Sequence, residues 1–373
     1  RSSLYSLTSG SSNVAVGYQS LYNNQTNSNF TSIGYRAAYN MRGDSNTAIG
    51  YQVMYGSGTP ASNTGYSNFA GGYQSLYSLS SGYGNTAVGR FSLYTNTSGY
   101  YNTAIGYYAG YSQLSGNQNV FVGYNSAGGL GNASYNNVVI GVDALSQGYN
   151  SLNSNVVIGT SAGYYHISNG SVLIGHNAGG PGGFWVTYPH TAIGYQALQY
   201  HYGEGDTAVG YQAGYSNATN TGTSWGTYIG HQAGDFNQND GVTCIGAKAG
   251  YSNTTGSGNV YLGAFASFNS TTATYCTALG YQALNGNLTG NGQTSIGYQS
   301  MYNMRGSSNT ALGNSALYGS GTPANNTGIQ NSAIGNGSLL AITSGSNNIA
   351  IGYYAGYATS GSTATNAITS GAQ

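Results

Sequence analysis

A short apolar run between polar residues returns along the whole chain at an almost constant interval, seen most plainly at Asn102-Thr103-Ala104-Ile105-Gly106-Tyr107. With the glycine of each copy as position 0, twenty copies run from Gly17 to Gly352, 16 to 22 residues apart and most often 17. Position −1 is Ile, Val or Leu in every copy except Gly71, and position −3 is mostly Thr or Val. β-branched residues at alternate places predict a strand over −4 to −1, with −3 and −1 on one face and −2, usually Ala, on the other. Position +3 is Ala or Ser in nineteen copies and Val53 in the other, a column small enough for two layers to meet closely. A second short strand is therefore expected over +1 to +5, with +3 facing inward. Strict alternation then turns +4, mostly Leu, Met or Gly, to the outside, as an apolar stripe that implies a lateral partner.

Self-similarity at a fixed short period marks a solenoid. The predicted fold is all-β: a single-chain parallel β-solenoid, or β-roll, of about 20 coils of ~17 residues with two short strands per coil. At about 4.8 Å per coil, the stack would span roughly 95 Å. Residues 1–373 read as one continuous solenoid, with loop insertions at 56–68, 180–190, 216–226 and 319–331. The invariant glycine predicts a sharp corner or a close approach that a Cβ would block. Position −4 is Asn in twelve copies, among them Asn85, Asn102 and Asn119, which predicts an amide ladder from coil to coil. Tyrosines fill positions +1 and +5 and predict stacked rings with wet hydroxyl edges.

A longer duplication overlies the coils. Tyr39-Asn40-Met41-Arg42-Gly43 returns 263 residues later as Tyr302-Asn303-Met304-Arg305-Gly306, and residues 17–94 match 280–357 in register. At the termini, the chain enters at position +1 with Arg1, just after a missing strand, and Leu4 and Tyr5 follow at +4 and +5, while Asn366, Ala367 and Ile368 resemble the first strand of a further coil. Open solenoid ends template association. Copies are therefore expected to stack end to end by strand addition, against the competing expectation of a segment from a longer repetitive polypeptide. The chain opens without Met or a signal peptide, as a mature or excised piece would.

Composition removes whole classes of function. Charged residues are 3% of the chain and sum to zero, with Lys248 the sole lysine and Glu204 the sole glutamate, so there is no basic footprint for nucleic acid. No run of 18 apolar residues exists to insert into a membrane. Cys244 and Cys276 fall in different columns two copies apart and read as isolated, packed thiols. The acids nearest in sequence, Glu204 with Asp206 and Asp235 with Asp240, read as solvated turn residues. His176 and His231 occupy the +1 aromatic column, and the histidines show no ligand spacing. No catalytic residue, metal or cofactor is expected. Possible glycan contacts are Trp185, Tyr188 and Trp225 on the insertions. Asn-x-Ser/Thr triplets at Asn24, Asn96, Asn217, Asn253 and Asn287 are candidate N-glycosylation sites.

The motif at Thr207-Ala208-Val209-Gly210-Tyr211-Gln212-Ala213 resembles the head repeats of YadA-like trimeric autotransporter adhesins and repeat arrays of some phage tail fibres and bacterial surface fibres. The resemblance implies a left-handed parallel β-roll, with trimerisation as one option, in an extracellular adhesive or structural appendage. The expected role is a structural subunit or segment of an extracellular, cell-surface or virion fibre, its partner another copy of itself, joined head to tail or laterally. The alternative is an adhesin or tail-fibre module that binds surface glycans.

Overall fold

The computed structural model describes residues 2–147, 151–166, 168–180, 189–200, 203–215, 225–237, 241–357 and 368–370. The chain divides into two compact units, Arg1–Pro189 and His190–Gln373. Each is a parallel β-solenoid. The first unit holds ten three-residue strands, from Val14–Val16 to Val172–Ile174, and the second holds eleven, from Thr191–Ile193 to Ile368–Ser370. Successive strands within a unit pair in parallel and in register, column on column: Thr86 opposite Thr103, Ala87 opposite Ala104, Val88 opposite Ile105.

The predicted glycine corner has a specific cause. Gly106 adopts φ +139°, and a Cβ placed there would lie 2.2 Å from the carbonyl oxygen of Gly123 in the next coil. Both conditions recur up the column, as at Gly34, where φ is +136° and the oxygen of Gly50 would lie 2.0 Å away. Only glycine satisfies both at once.

The second half of the coil departs from the expected strand. Positions +2 and +4 carry positive φ, as at Gln74 (54°), Leu76 (47°), Gln52 (49°) and Met54 (45°), so the segment runs through turns rather than extended backbone. Its inter-coil hydrogen bonds persist nonetheless: Tyr108 N–H donates to Arg90 O at 3.0 Å and Leu93 N–H to Ala109 O at 3.0 Å. Each coil thus contributes one extended strand and one ladder of turns.

This geometry overturns the expected outward stripe at +4. Side chains alternate in and out only along a true strand; here +3 and +4 both turn inward. Ser75 and Leu76, like Val53 and Met54, are fully buried. A non-glycine residue with left-handed φ costs roughly 1–2 kcal/mol, which burial of a Leu side chain, worth roughly 1.5–3 kcal/mol, offsets.

The core lies between −2 of the strand and +4 of the turns, and the two columns share one volume. In most coils where −2 is Ala, as at Ala87, +4 is large, as at Leu93. Where −2 is large, the flanking +4 residues shrink. Phe121 sits against Gly110, whose Cβ would fall 2.6 Å from the ring, and Tyr228 sits between Gly214 and Gly234, whose Cβ atoms would fall 2.8 and 2.3 Å from it. The buried Tyr228 hydroxyl accepts a hydrogen bond from the Asn237 amide.

The asparagine ladder forms as expected and satisfies every side-chain polar atom of an interior member. Asn102 Nδ2 donates to Asn85 Oδ1 (3.0 Å) and to Gly116 O (2.6 Å); Asn102 Oδ1 accepts from Asn119 N (3.1 Å) and Nδ2 (2.9 Å). A second amide ladder, unforeseen, runs along +2: Gln74 Nε2 donates to Gln52 Oε1 at 2.7 Å, and Gln232 to Gln212 at 3.0 Å. The two copies of the Gly-Ser-Gly-Thr-Pro-Ala insertion fold alike, each through one turn of 3-10 helix, Pro60–Ser62 and Pro323–Asn325. In each, an asparagine side chain ties the loop: Asn63 Oδ1 accepts from Ser57 N and Asn326 Oδ1 from Ser320 N, both at 3.1 Å.

Two outcomes test this packing. Phe121→Ala is expected to cost about 3–5 kcal/mol through the cavity it leaves, and adding Gly110→Leu should restore most of the loss, read as the shift in urea midpoint. Gly106→Ala is expected to cost about 3 kcal/mol or more, from strain and overpacking together.

Candidate functional site

The strand's outward face carries the surface most readily available to a partner. In most coils −2 is sealed inside, −3 half-buried and −1 exposed or half-buried. Ile105 is 43% exposed whereas Leu93 is 0% exposed. The apolar stripe expected at +4 is therefore real but lies at −1. In the first unit it includes Val16, Ile33, Ile49, Val88, Ile105 and Ile140; in the second, Ile229, Leu262, Leu279, Leu312, Ile334 and Ile351. Position −3, mostly Thr or Val, runs beside it, and no charged residue occurs at −3 or −1 in any of the twenty copies.

Tyrosine files border this face. Along +1, Tyr18, Tyr35, Tyr51 and Tyr73 stack with centroids 5.0 to 5.4 Å apart. His231 continues the same column in the second unit, 5.0 Å from Tyr211 and inclined by 11°, as expected of a tyrosine replacement. Along +5, seven rings from Tyr5 through Tyr22, Tyr39, Tyr55, Tyr77 and Tyr94 to Tyr111 stack at 4.9 to 5.2 Å with interplanar angles of 2 to 11°. Each interior ring is covered on both faces by its neighbours, so along its length the file offers edges and hydroxyls to solvent. Burial, reinforced by the adjacent phenols, holds the hydroxyls of Tyr77 and Tyr94 above the usual phenol range.

The chain matches no family model, no curated protein and no solved structure.

Two acids expected to be solvated turn residues are buried instead, because each occupies a structural column. Asp206 stands in the −4 asparagine column. Its Oδ1 accepts from Gly226 N at 2.6 Å, and its own N–H donates to His190 Nδ1 at 3.3 Å. The His190 ring lies 3.9 Å from Asp206 Oδ2. The pair reproduces, with other side chains, the acceptor pattern that asparagine supplies elsewhere. Asp235 stands in the +5 tyrosine column, buried, and its Oδ1 meets no hydrogen-bond donor among the described residues. Burial raises its carboxyl to about 6, opposed by Lys248. Asp240 lies outside the described residues.

Among the described residues no three His, Cys, Asp or Glu side chains converge, and no helix is long and apolar enough to cross a membrane. His166 Nε2 lies 2.9 Å from both Ser168 Oγ and Ser171 Oγ, but all three side chains are buried. Cys244 and Cys276 are free and buried, as expected, and burial pushes both thiols up.

The glycosylation candidates need correction. Asn24, Asn96, Asn253 and Asn287 are fully buried at position +7, where the side chain turns inward at a corner. Asn287, for example, donates to Gly290 O and accepts from Gly290 N, both at 2.8 Å. Their amides are closed to a glycosylating enzyme in the folded chain. Asn217 lies outside the described residues, as do Trp185 and Tyr188. Trp225 is 56% exposed, its ring against Gly205.

At the first strand, Leu4 N–H donates to Ser20 O and Ser6 N–H to Tyr22 O, both at 3.1 Å, so residues from Leu4 onward form the expected half-coil. Ile368 pairs with Ile349 in parallel and is 82% exposed. Arg1, Asn366 and Ala367 lie outside the described residues.

Asp235 gives a pH signature. Its carboxyl is raised in the fold from 3.8 to about 6, so its contribution is fully present below about pH 3.8 and is lost as pH rises through 6. Asp235→Asn is expected to match the parent in thermal unfolding at pH 3.5 and to melt higher above pH 6.

Proposed function

We propose that this chain is a structural element of an extracellular, cell-surface or virion fibre, in which copies join by continuing the coil stack end to end. The observation that carries the reading is the in-register meeting of like columns: glycine against glycine, asparagine on asparagine, tyrosine on tyrosine. A coil stabilised this way presents to its neighbour the same groups that it receives. The strand Val14–Val16 pairs with Thr31–Ile33 on one side, and Ile368–Ser370 pairs with Ile349–Ile351 on one side. A second copy offering its last strand beside Val14–Val16 extends both the backbone ladder and the Tyr5 file.

The charge-free rows at −3 and −1 supply a lateral contact between such stacks. A row three residues wide and ten coils long covers about 500 Å² per partner, about 1,000 Å² in total, the size of a weak lateral contact. Amide ladders and ring stacks between neutral side chains lose little to salt, which suits service outside a cell. No catalytic step is part of this reading.

A second reading, a module that binds surface glycans, is favoured by the exposed indole of Trp225. The tyrosine files support it less, because stacking covers the ring faces that a sugar would use.

Electron microscopy of the purified chain is expected to show filaments with a repeat of about 4.8 Å along the axis. Ala15→Pro, which removes a backbone N–H from the first strand, should shorten or abolish them without loss of β-type circular dichroism. A chain that stays monomeric at high concentration, or an Ala15→Pro variant that polymerises like the parent, overturns end-to-end stacking. Ile33→Lys with Ile49→Lys and Ile105→Lys should leave single filaments intact and remove their lateral pairing. Glycan-array binding lost in Trp225→Ala would favour the second reading.

A further inference from the structure

The chain carries 39 tyrosines but only one lysine, and its two cysteines are free, buried and in different coils. Amide cross-links through lysine and disulfides are therefore poorly served by its composition. Phenols are abundant and lie in contact. In the +5 file, each ring faces the next at 4.9 to 5.2 Å and nearly parallel, so successive phenols are held side by side about one ring spacing apart. The interior rings of this file are half-buried. Tyr5 at its end is 69% exposed, which opens the file to an oxidant at a solvated ring. Successive residues of the file are 16 to 22 positions apart in the chain, so a bond between them staples one coil to the next.

We propose that the +5 tyrosine file is a site of oxidative phenol coupling, at which a peroxidase-class one-electron oxidant using hydrogen peroxide links neighbouring coils through dityrosine. Each of two phenols gives up one electron and its hydroxyl proton to become a phenoxyl radical. The two radicals pair at their ortho carbons to form one carbon–carbon bond. The proton on each of those carbons then moves to the phenolic oxygen and restores both aromatic rings. Two electrons and two protons leave in all, and they reduce one hydrogen peroxide to two waters. The bond needs the rings to tilt toward each other, for which the solvent-facing hydroxyl edges leave room. The +1 column provides an internal contrast: its file is interrupted at Arg90, whose guanidinium lies over Tyr73 (5.1 Å) and Tyr107 (5.6 Å) and holds them on opposite sides of a non-phenolic residue. Tyr73 and Tyr107 therefore do not couple.

The test treats the dilute, folded full chain with a plant peroxidase and limiting hydrogen peroxide, then maps cross-linked peptides by mass spectrometry. The expected products are Tyr22–Tyr39, Tyr39–Tyr55 and Tyr77–Tyr94 links, each lowering the monomer mass by two hydrogen atoms, with a blue biphenol fluorescence whose yield per chain does not depend on protein concentration. Tyr39→Phe keeps the stacked ring but removes the phenol. It should lose the first two links and keep the third, with unchanged circular dichroism. Links that form only between chains, a Tyr73–Tyr107 link as frequent as those of the +5 file, the same pattern in guanidinium-unfolded chain, or oxidation without carbon–carbon coupling would each overturn the proposal.

Discussion

Both units depend on the approach of one glycine carbonyl to the glycine of the adjacent coil. At Gly106 the oxygen of Gly123 occupies the space that any Cβ would need, so the corner fixes residue type and coil spacing together. Once two coils are held this closely, the strand before the corner and the turns after it must run in register with their equivalents. The ladders then follow from the register. Asparagine meets asparagine, glutamine meets glutamine and tyrosine meets tyrosine because the glycine column leaves no other alignment. Most buried polar atoms along these files are thereby satisfied by their own repeats, which removes the usual penalty of a thin, polar interior.

The core solves a volume constraint within that frame. The space between −2 and +4 is narrow, and it is filled from one side or the other, within one coil or from the next: Ala87 with Leu93, Phe121 with Gly110, Tyr228 with Gly214 and Gly234. The left-handed backbone at +4 directs a leucine inward where a strand would have turned it outward. A cost of about 1–2 kcal/mol per residue is tolerated because no other geometry brings both +3 and +4 into the core. Departures from the repeat obey the same columns. Asp206 and His190 are buried because they stand where asparagine belongs, and Asp235 because it stands where tyrosine belongs.

What remains outside the core is unusually uniform. The strand face shows threonine and valine beside isoleucine, without charge, and the files beside it show phenol edges. Such a surface repeats one chemistry from coil to coil. That is why the fibre reading rests on repetition rather than on any single constellation of residues. The same repetition makes the +5 phenol file a candidate for covalent reinforcement, since each ring from Tyr5 to Tyr111 stacks on another tyrosine one coil away.

The chain by itself determined the period, the parallel register, the glycine corner, the asparagine ladder and both tyrosine files. Each of these is a property of a column, and a column is visible whenever like residues recur at a fixed interval. Three features were decided only by the tertiary structure. The segment after Gly106 could be read as a strand or as turns, because Tyr-x-Ala-Leu-Tyr patterns fit both; backbone dihedrals chose turns, and so moved the exposed apolar stripe from Leu93 and its equivalents to Ile105 and its equivalents. The burial of Asn24, Asn96, Asn253 and Asn287 followed from a corner whose direction no local triplet encodes. The pairing of Phe121 with Gly110 joins residues in different coils and becomes legible only when the coils are stacked, since the volume they share belongs to neither coil alone.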